Sequence, residues 1–270
     1  IAAAERGYFE IVRLLLGKGA GKNEECNTAL MTATLRGYKD IVELLLRSGA
    51  DVNAKATDDG STALIEAAVM GNREIVEILL RKGANVNEPR TSDGMTALMA
   101  AVIYGYENVF ELLIDKGADI NLQRRSDDDF FVNGRLALNS TMNDGSTALI
   151  DSVGNSSCKE KIAIRLLKEG ANVNAIRTED GATALINASL SGCDKIVQLL
   201  LDKGANVNAK QKTTGFTALI AAVYNNNIEI ASTLIRHGAD IHEKSVKGQT
   251  ALRFAVKHID ARLVQLLLEN

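Results

Sequence analysis

The chain has 270 residues, 46% hydrophobic and 24% charged, with a formal net charge of −3 and a pI near 5.8. Its lysines and arginines are spread through the whole length and form no basic stripe of the kind phosphate neutralisation needs, so nucleic acid is not an expected partner. No apolar run reaches the length of a membrane span and no signal-peptide pattern opens the chain, so membrane insertion is not expected.

Read in order, the chain opens inside a pattern that it then repeats. Thr-Ala-Leu recurs with its threonine at 28, 62, 96, 147, 183, 217 and 250, at steps of 34, 34, 51, 36, 34 and 33 residues. Between these lie Gly-Ala-Asp/Asn-Val/Ile-Asn signatures with glycines at 49, 83, 117, 170 and 204, a variant at Gly238 and a worn copy at Gly19. A period near 33 residues, holding two short helical patterns and a turn, marks a solenoid.

One period shows the chemistry. Asp59-Gly60 is a turn pair, glycine supplying the positive φ that tight turns need. Thr62 is placed to cap the helix that follows. At roughly 100° per residue, Leu64, Ala67 and Ala68 share a core face, and Glu66, Val69 and Met70 fall opposite. The alanine pair lets a second helix approach closely. That helix carries Ile75, Val76, Ile78, Leu79 and Leu80 as a wide apolar stripe, and Gly83 ends it in the left-handed region. Outer helices of this kind are expected near 8–17, 39–47, 73–81, 107–115, 160–168, 194–202, 228–236 and 260–268. One period cannot bury its own faces, so stacked neighbours form the core, and a single array over 1–270 is expected.

Thr-x-Leu-x-x-Ala-Ala-x-x-Gly followed by Ile-Val-x-Leu-Leu-Leu-x-x-Gly-Ala-Asp-Val-Asn resembles the ankyrin repeat, over essentially all 270 residues. The resemblance implies an all-α solenoid, an ankyrin-repeat array of stacked helix-turn-helix units with projecting β-hairpins. About eight units are expected, with both end units incomplete. Ile1 aligns with Ile65 and Asn270 with Lys82, so a segment of something longer is expected. Two departures stand out. Alanine follows the threonine where the family usually has proline. Ile65, Met99 and Ile150 stand where it usually has histidine, so a packed apolar substitute replaces the family's Thr–His hydrogen bond.

Irregularities fall at both kinds of junction. The first linker, Gly19 to Thr28, is 9 residues long where most units have 13. The step from Gly117 to Thr147 carries 17 extra residues, placed within 122–143. There Phe130-Phe131-Val132 and Arg135-Leu136-Ala137-Leu138 flank Asn133-Gly134, a strong two-residue hairpin signal. An extended hairpin is expected, with Phe130, Phe131 and Leu136 as its contact side chains; the alternative is a tolerated unstructured loop. The link around Gly154–Cys158 is two residues longer than usual.

Catalysis is poorly supported. His237 and His242 flank a repeat-end glycine, His258 ends an inner helix, and none has ligand or triad spacing. Asp127-Asp128-Asp129 lacks the glycine and distal glutamate of a calcium loop and follows Arg124-Arg125, so it reads as a solvated charge run. No Gly-Lys-Ser/Thr follows a glycine, and no cofactor or metal is expected. Cys26, Cys158 and Cys193 are odd in number, lie in three separate repeats and show no paired spacing. They read as isolated thiols in a cytoplasmic, reducing compartment, with delivery into a host cell left open.

Binding is better supported. The resemblance implies recognition of a protein partner, by a monomer, through a concave surface of hairpin tips and inner-helix faces. Mapped here, those positions are Met70, Met95, Ile103, Tyr104, Phe216, Tyr224, Glu66 and Arg36, with Phe130 and Phe131 on the insertion. Met95, Phe216 and Tyr104 are expected to be exposed; Ile103, Leu35 and Val69 are divided between exposure and packing on the next repeat. Tyr8, Tyr38 and Tyr106 are expected to plug the gaps between helices. Asn53, Asn87, Asn121, Asn174 and Asn208 are read first as hydrogen-bonders at the hairpin base. The resemblance also makes Asn53 a candidate asparaginyl-hydroxylation site. A structural spacer or tether for other domains is the alternative function.

Overall fold

Helix pairs recur along the chain in the computed structural model, which describes residues 1–19, 24–124, 145–154 and 158–270 and the backbone of 131–132 and 135–136. Two compact units emerge, Ile1–Asp119 with Asp127–Ser140, and Ile120–Ser126 with Thr141–Asn270. In the first, inner helices α1 (Ala2–Glu5), α3 (Glu24–Arg36), α5 (Ala63–Val69) and α7 (Ala97–Tyr104) alternate with outer helices α2 (Phe9–Gly17), α4 (Lys39–Arg47), α6 (Arg73–Arg81) and α8 (Glu107–Asp115). In the second, the inner helices are α9 (Ala148–Ser152), α11 (Ala184–Ser191), α13 (Ala218–Tyr224) and α15 (Ala251–His258). Its outer helices are α10 (Glu160–Lys168), α12 (Asp194–Asp202), α14 (Ile228–Arg236) and α16 (Ala261–Leu268). Within each unit, inner helix packs on inner helix and outer on outer.

The threonines start the inner helices as their chemistry dictates. Thr62, Thr96, Thr147, Thr183 and Thr217 each accept, through Oγ1, the backbone N–H three residues on, at 3.3–3.4 Å. Thr28 does not, because the shortened first linker lets α3 begin earlier, at Glu24. Thr28 then lies inside the helix and its hydroxyl donates to the Glu24 carbonyl at 2.9 Å. Leu64, Ala67 and Ala68 are buried on one side of α5, and Ile75, Val76 and Leu79 meet them from α6. Ile65, Met99 and Ile150 are buried as well: an apolar side chain fills the place of the polar bond.

The projecting β-hairpins are the correction. Among the described residues, the loops after α4, α6, α10, α12 and α14 are tight turns without strands. Ala56, Arg90, Arg177 and Gln211 each donate a backbone N–H to the carbonyl five residues on, and receive one from the turn glycine. Pairing then stops at isolated bridges, Lys55 with Thr62, Gln123 with Thr147 and Ile176 with Thr183. The cause is length: one residue beyond the turn, the chain is already the threonine N-cap of a helix, so no second ladder rung can form. Among the described residues the one strand pair is two residues a side, β1 (Phe131–Val132) antiparallel to β2 (Arg135–Leu136), with Phe131 opposite Leu136. Phe130, Asn133, Gly134 and Asp127-Asp128-Asp129 lie outside the described residues. Arg124 N–H still donates to the Ser146 carbonyl at 3.0 Å, as Arg90 does to Met95, so the extra residues lie between those two positions.

Asparagines tie each loop to the next. Asn53 Oδ1 accepts the Asn85 N–H at 2.8 Å and its Nδ2 donates to the Gly83 carbonyl at 3.2 Å. In the second unit, Asn174 and Asn208, one period apart, repeat both bonds. Asn87 and Asn121 accept the N–H of Asp119 and Asn172. In the first loop, where the signature is worn, Asn27 from α3 takes over and accepts the Asp51 N–H at 2.9 Å.

Candidate partner-binding surface

The inner-helix face of the first unit is built from the last turns of α3, α5 and α7. Leu35, Met70 and Tyr104 project there, with Met70 51% and Tyr104 48% exposed. Tyr104 stacks against Tyr106 with ring centroids 6.2 Å apart. Ile103 and Glu66 are half-buried beside them, and exposed Arg36 reaches Glu5 at 3.1 Å. Leu35 borders a cleft of about 580 Å³ whose lining also includes Met31, Lys55 and the acidic residues Glu24, Asp51, Asp58, Asp59 and Glu66. Lys55 is already engaged by Glu88 at 2.7 Å, so the cleft is acidic.

The second unit presents a different surface. Phe216, Tyr224 and Phe254 form a mutual aromatic cluster with centroids 5.5–5.6 Å apart. Phe254 is buried, Phe216 half-buried, and Tyr224 is 46% exposed. Tyr224 also borders a cleft of about 480 Å³ shared with Leu190, Asn187, Asn225 and Arg177.

Met95 belongs to neither surface. It is 1% exposed, against the expectation of a solvent-facing position, and so are its counterparts Ser61, Ser146 and Ala182 buried. The residue after the turn glycine closes the turn: Met95 N–H donates to Asp93 Oδ1, its carbonyl accepts from Arg90 N–H, and its sulfur lies 3.6 Å from Arg90 Nη2. The side chain is thereby covered by the turn. The Phe131 side chain and all of Phe130 lie outside the described residues. Two tyrosines do plug gaps, Tyr38 against Gly7 and Tyr106 against Gly71, whereas Tyr8 is half exposed.

The turns carry ion pairs that the repeat signatures do not advertise. Arg90 grips Asp93 through Nε and Nη2, and Arg177 grips Asp180 in the same way, three residues apart in each case. Gln211 from the following turn also donates to Asp180. Burial pushes the Asp180 carboxyl up, but the bonds from Arg177, Ala182 N–H and Gln211 more than offset it and hold its pKa below the usual carboxylate value. In the inserted turn, buried Arg124 pairs with Asp151 at 2.7 Å. The recurrence of Arg-Thr-x-Asp-Gly at 90–94 and 177–181 is the sequence signal for the first two.

A family model described as "Ankyrin repeats (3 copies)" matches residues 1–56, 54–124, 129–211 and 208–270. The chain belongs to the ankyrin-repeat family. Among solved structures it is similar to the ankyrin repeat domain of Bcl-3, described as a unique member of the IkappaB protein family. That likeness has 28% identity and a TM-score of 0.65, covering 88% of this chain and 97% of that one. It is also similar in fold to the human ASB11 ankyrin repeat domain, at 23% identity and a TM-score of 0.65, covering 89% and 96%. No curated protein matches it. Ankyrin-repeat arrays are non-catalytic and serve generally as protein-interaction scaffolds. Among the described residues no three His, Cys, Asp or Glu side chains are placed to hold a metal ion. No described helix is long and apolar enough to cross a membrane.

Proposed function

We propose that this ankyrin-repeat chain binds a protein partner through the inner-helix face, with the last turns of the inner helices as the apolar anchor. The observation that carries this reading is where large apolar side chains meet water. Among the described residues outside the first and last helix pairs, the exposed ones on helices or their caps are Leu35, Met70, Tyr104, Leu190 and Tyr224, all at the ends of inner helices. None lies on α4, α6, α8, α10, α12 or α14 among the described residues. Scattered exposed hydrophobes need no explanation, but ones that recur at the same helix end within each unit do. Met and Tyr are also types that interface centres favour.

The acidic cleft beside Leu35 gives the first unit a preference for a partner segment carrying Lys or Arg next to an apolar side chain. Like-charged segments would be rejected there. Tyr104→Ala and Met70→Ala should each weaken binding about tenfold, the scale of one interface anchor, without loss of helix content. An array acting only as a spacer would show no partner loss in either variant.

A further inference from the structure

Two of the cysteines meet across one period. In several repeats, the residue before an outer helix leans back on the link residue of the preceding repeat. A Cβ added to Gly71 would lie 2.7 Å from the Tyr106 ring, and one added to Gly37 or Gly192 would lie 3.4 Å from Asn72 Nδ2 or Asn227 Nδ2. Each of these pairs is 35 residues apart, and so are Cys158 and Cys193. Cys158 stands two residues before α10, as Gly71 stands two before α6; Cys193 stands one before α12, as Tyr106 stands one before α8. Here alone among these pairs, the link position carries a side chain that can react with the one leaning on it. Ser191 Oγ donates to the Val153 carbonyl at 3.2 Å, which ties the two links together, and Lys159 N–H donates to the Ser152 carbonyl at 2.9 Å within the first of them.

We propose that Cys158 and Cys193 form a reversible oxidative modification site, closed to a disulfide by low-molecular-weight disulfides of the glutathione type. The register sets Cys193 against the link position of Cys158 as it sets Tyr106 against Gly71, the side-by-side placement that a disulfide, with Cβ atoms about 3.5–4.5 Å apart, requires. The thiols share a hydrogen bond, which lowers the Cys158 pKa and, with burial, raises that of Cys193. Cys158 is half-buried and Cys193 buried, so reagent reaches Cys158 first. Its thiolate attacks one sulfur of the oxidant, the S–S bond breaks, and one small thiol leaves with the proton Cys158 gave up. Cys193 sulfur then displaces the second small thiol, which takes the Cys193 proton. The oxidant is reduced to two thiols and the protein is oxidised by two electrons.

The test treats the whole chain with oxidised glutathione, blocks remaining thiols by alkylation, and maps peptides by mass spectrometry. The expected product is an intramolecular Cys158–Cys193 cross-link, two hydrogens lighter than the reduced chain, with a raised thermal midpoint. Cys193→Ala should stop at a stable glutathione adduct on Cys158. Cys158→Ser should leave Cys193 unreacted over the same time. A persistent Cys158 adduct in the unaltered chain, with Cys193 still alkylatable, would overturn the proposal, as would cross-linked dimers in place of the internal bond. The unaltered-chain result decides even where a variant fails to fold.

Discussion

Replacing Asn174 by alanine removes the side chain that spans two successive repeats. It deletes the bond from Asn206 N–H to Oδ1 at 2.8 Å and the bond from Nδ2 to the Gly204 carbonyl at 3.2 Å. The Asx turn opened by Asn172 is left intact, because Asn174 gives only its backbone N–H to that bond. A net hydrogen bond contributes about 0.5–1.5 kcal/mol, and the exposed setting lets water replace part of each, so about 1–2 kcal/mol is expected in all. For a unit of this size that is a fall of roughly 2–6 °C in the unfolding midpoint, readable by circular dichroism and by urea titration. Asn174→Asp separates the two bonds: it keeps the acceptor for Asn206 but sets a carboxylate against the Gly204 carbonyl, and should rank between wild type and alanine. Equal midpoints for all three proteins would refute the ladder as a source of repeat-to-repeat stability.

Three further outcomes follow from named contacts. Met95→Ala should cost about 2–5 kcal/mol, as other buried Met truncations do, and a differential scanning trace matching wild type would return Met95 to the surface. Asp180 has a lowered folded pKa, so its stabilising bonds are present above the unfolded value of about 3.9 and are lost as pH falls through the folded one. Unfolding midpoints of wild type should therefore drop more steeply between about pH 5 and 2 than those of Asp180→Asn; parallel curves would contradict this. Deleting 125–143 should leave both units folded, because Arg124 and its Asp151 partner remain. Extending the deletion by Arg124 should destabilise the second unit, and equal far-UV melts for the two deletions would show that the ion pair does not matter.

How far the sequence carried the reading depends on the kind of contact. The outer helices stand within one residue of the ranges expected from apolar stripe and terminal glycine, because those signals are local and every repeat restates them. The caps at Thr62, Thr96, Thr147, Thr183 and Thr217 were equally legible, whereas Thr28 lies inside α3 and Thr250 makes no side-chain cap bond. The turns were not, since Asp59-Gly60 announces a reversal of direction but not how many rungs follow it. Met95 was misplaced for a related reason: its exposure depends on which way a turn-closing residue faces, and Arg90 and Asp93 decide that through contacts absent from the helical pattern. The Cys158–Cys193 contact was hidden by looking for close spacing, when in a solenoid the relevant separation is one period. Arg124 looked like part of the insertion, yet its counterpart Arg90 in the preceding turn opens the same backbone bond.

The claim that the inner-helix face is the binding surface is tested most directly by site-specific photo-crosslinking. A photoreactive side chain is placed at Tyr104 or Tyr224 on that face, and at Glu77 or Glu229, exposed on the outer helices α6 and α14, as controls. The chain is then irradiated with the proteins of its native cell. The account predicts a partner linked from Tyr104 and competed away by unlabelled chain but not by unlabelled Tyr104→Ala chain, with Tyr224 and Tyr224→Ala read in the same way for the second unit. A saturable link formed instead from Glu77 or Glu229 would place binding on the outer helices and contradict it.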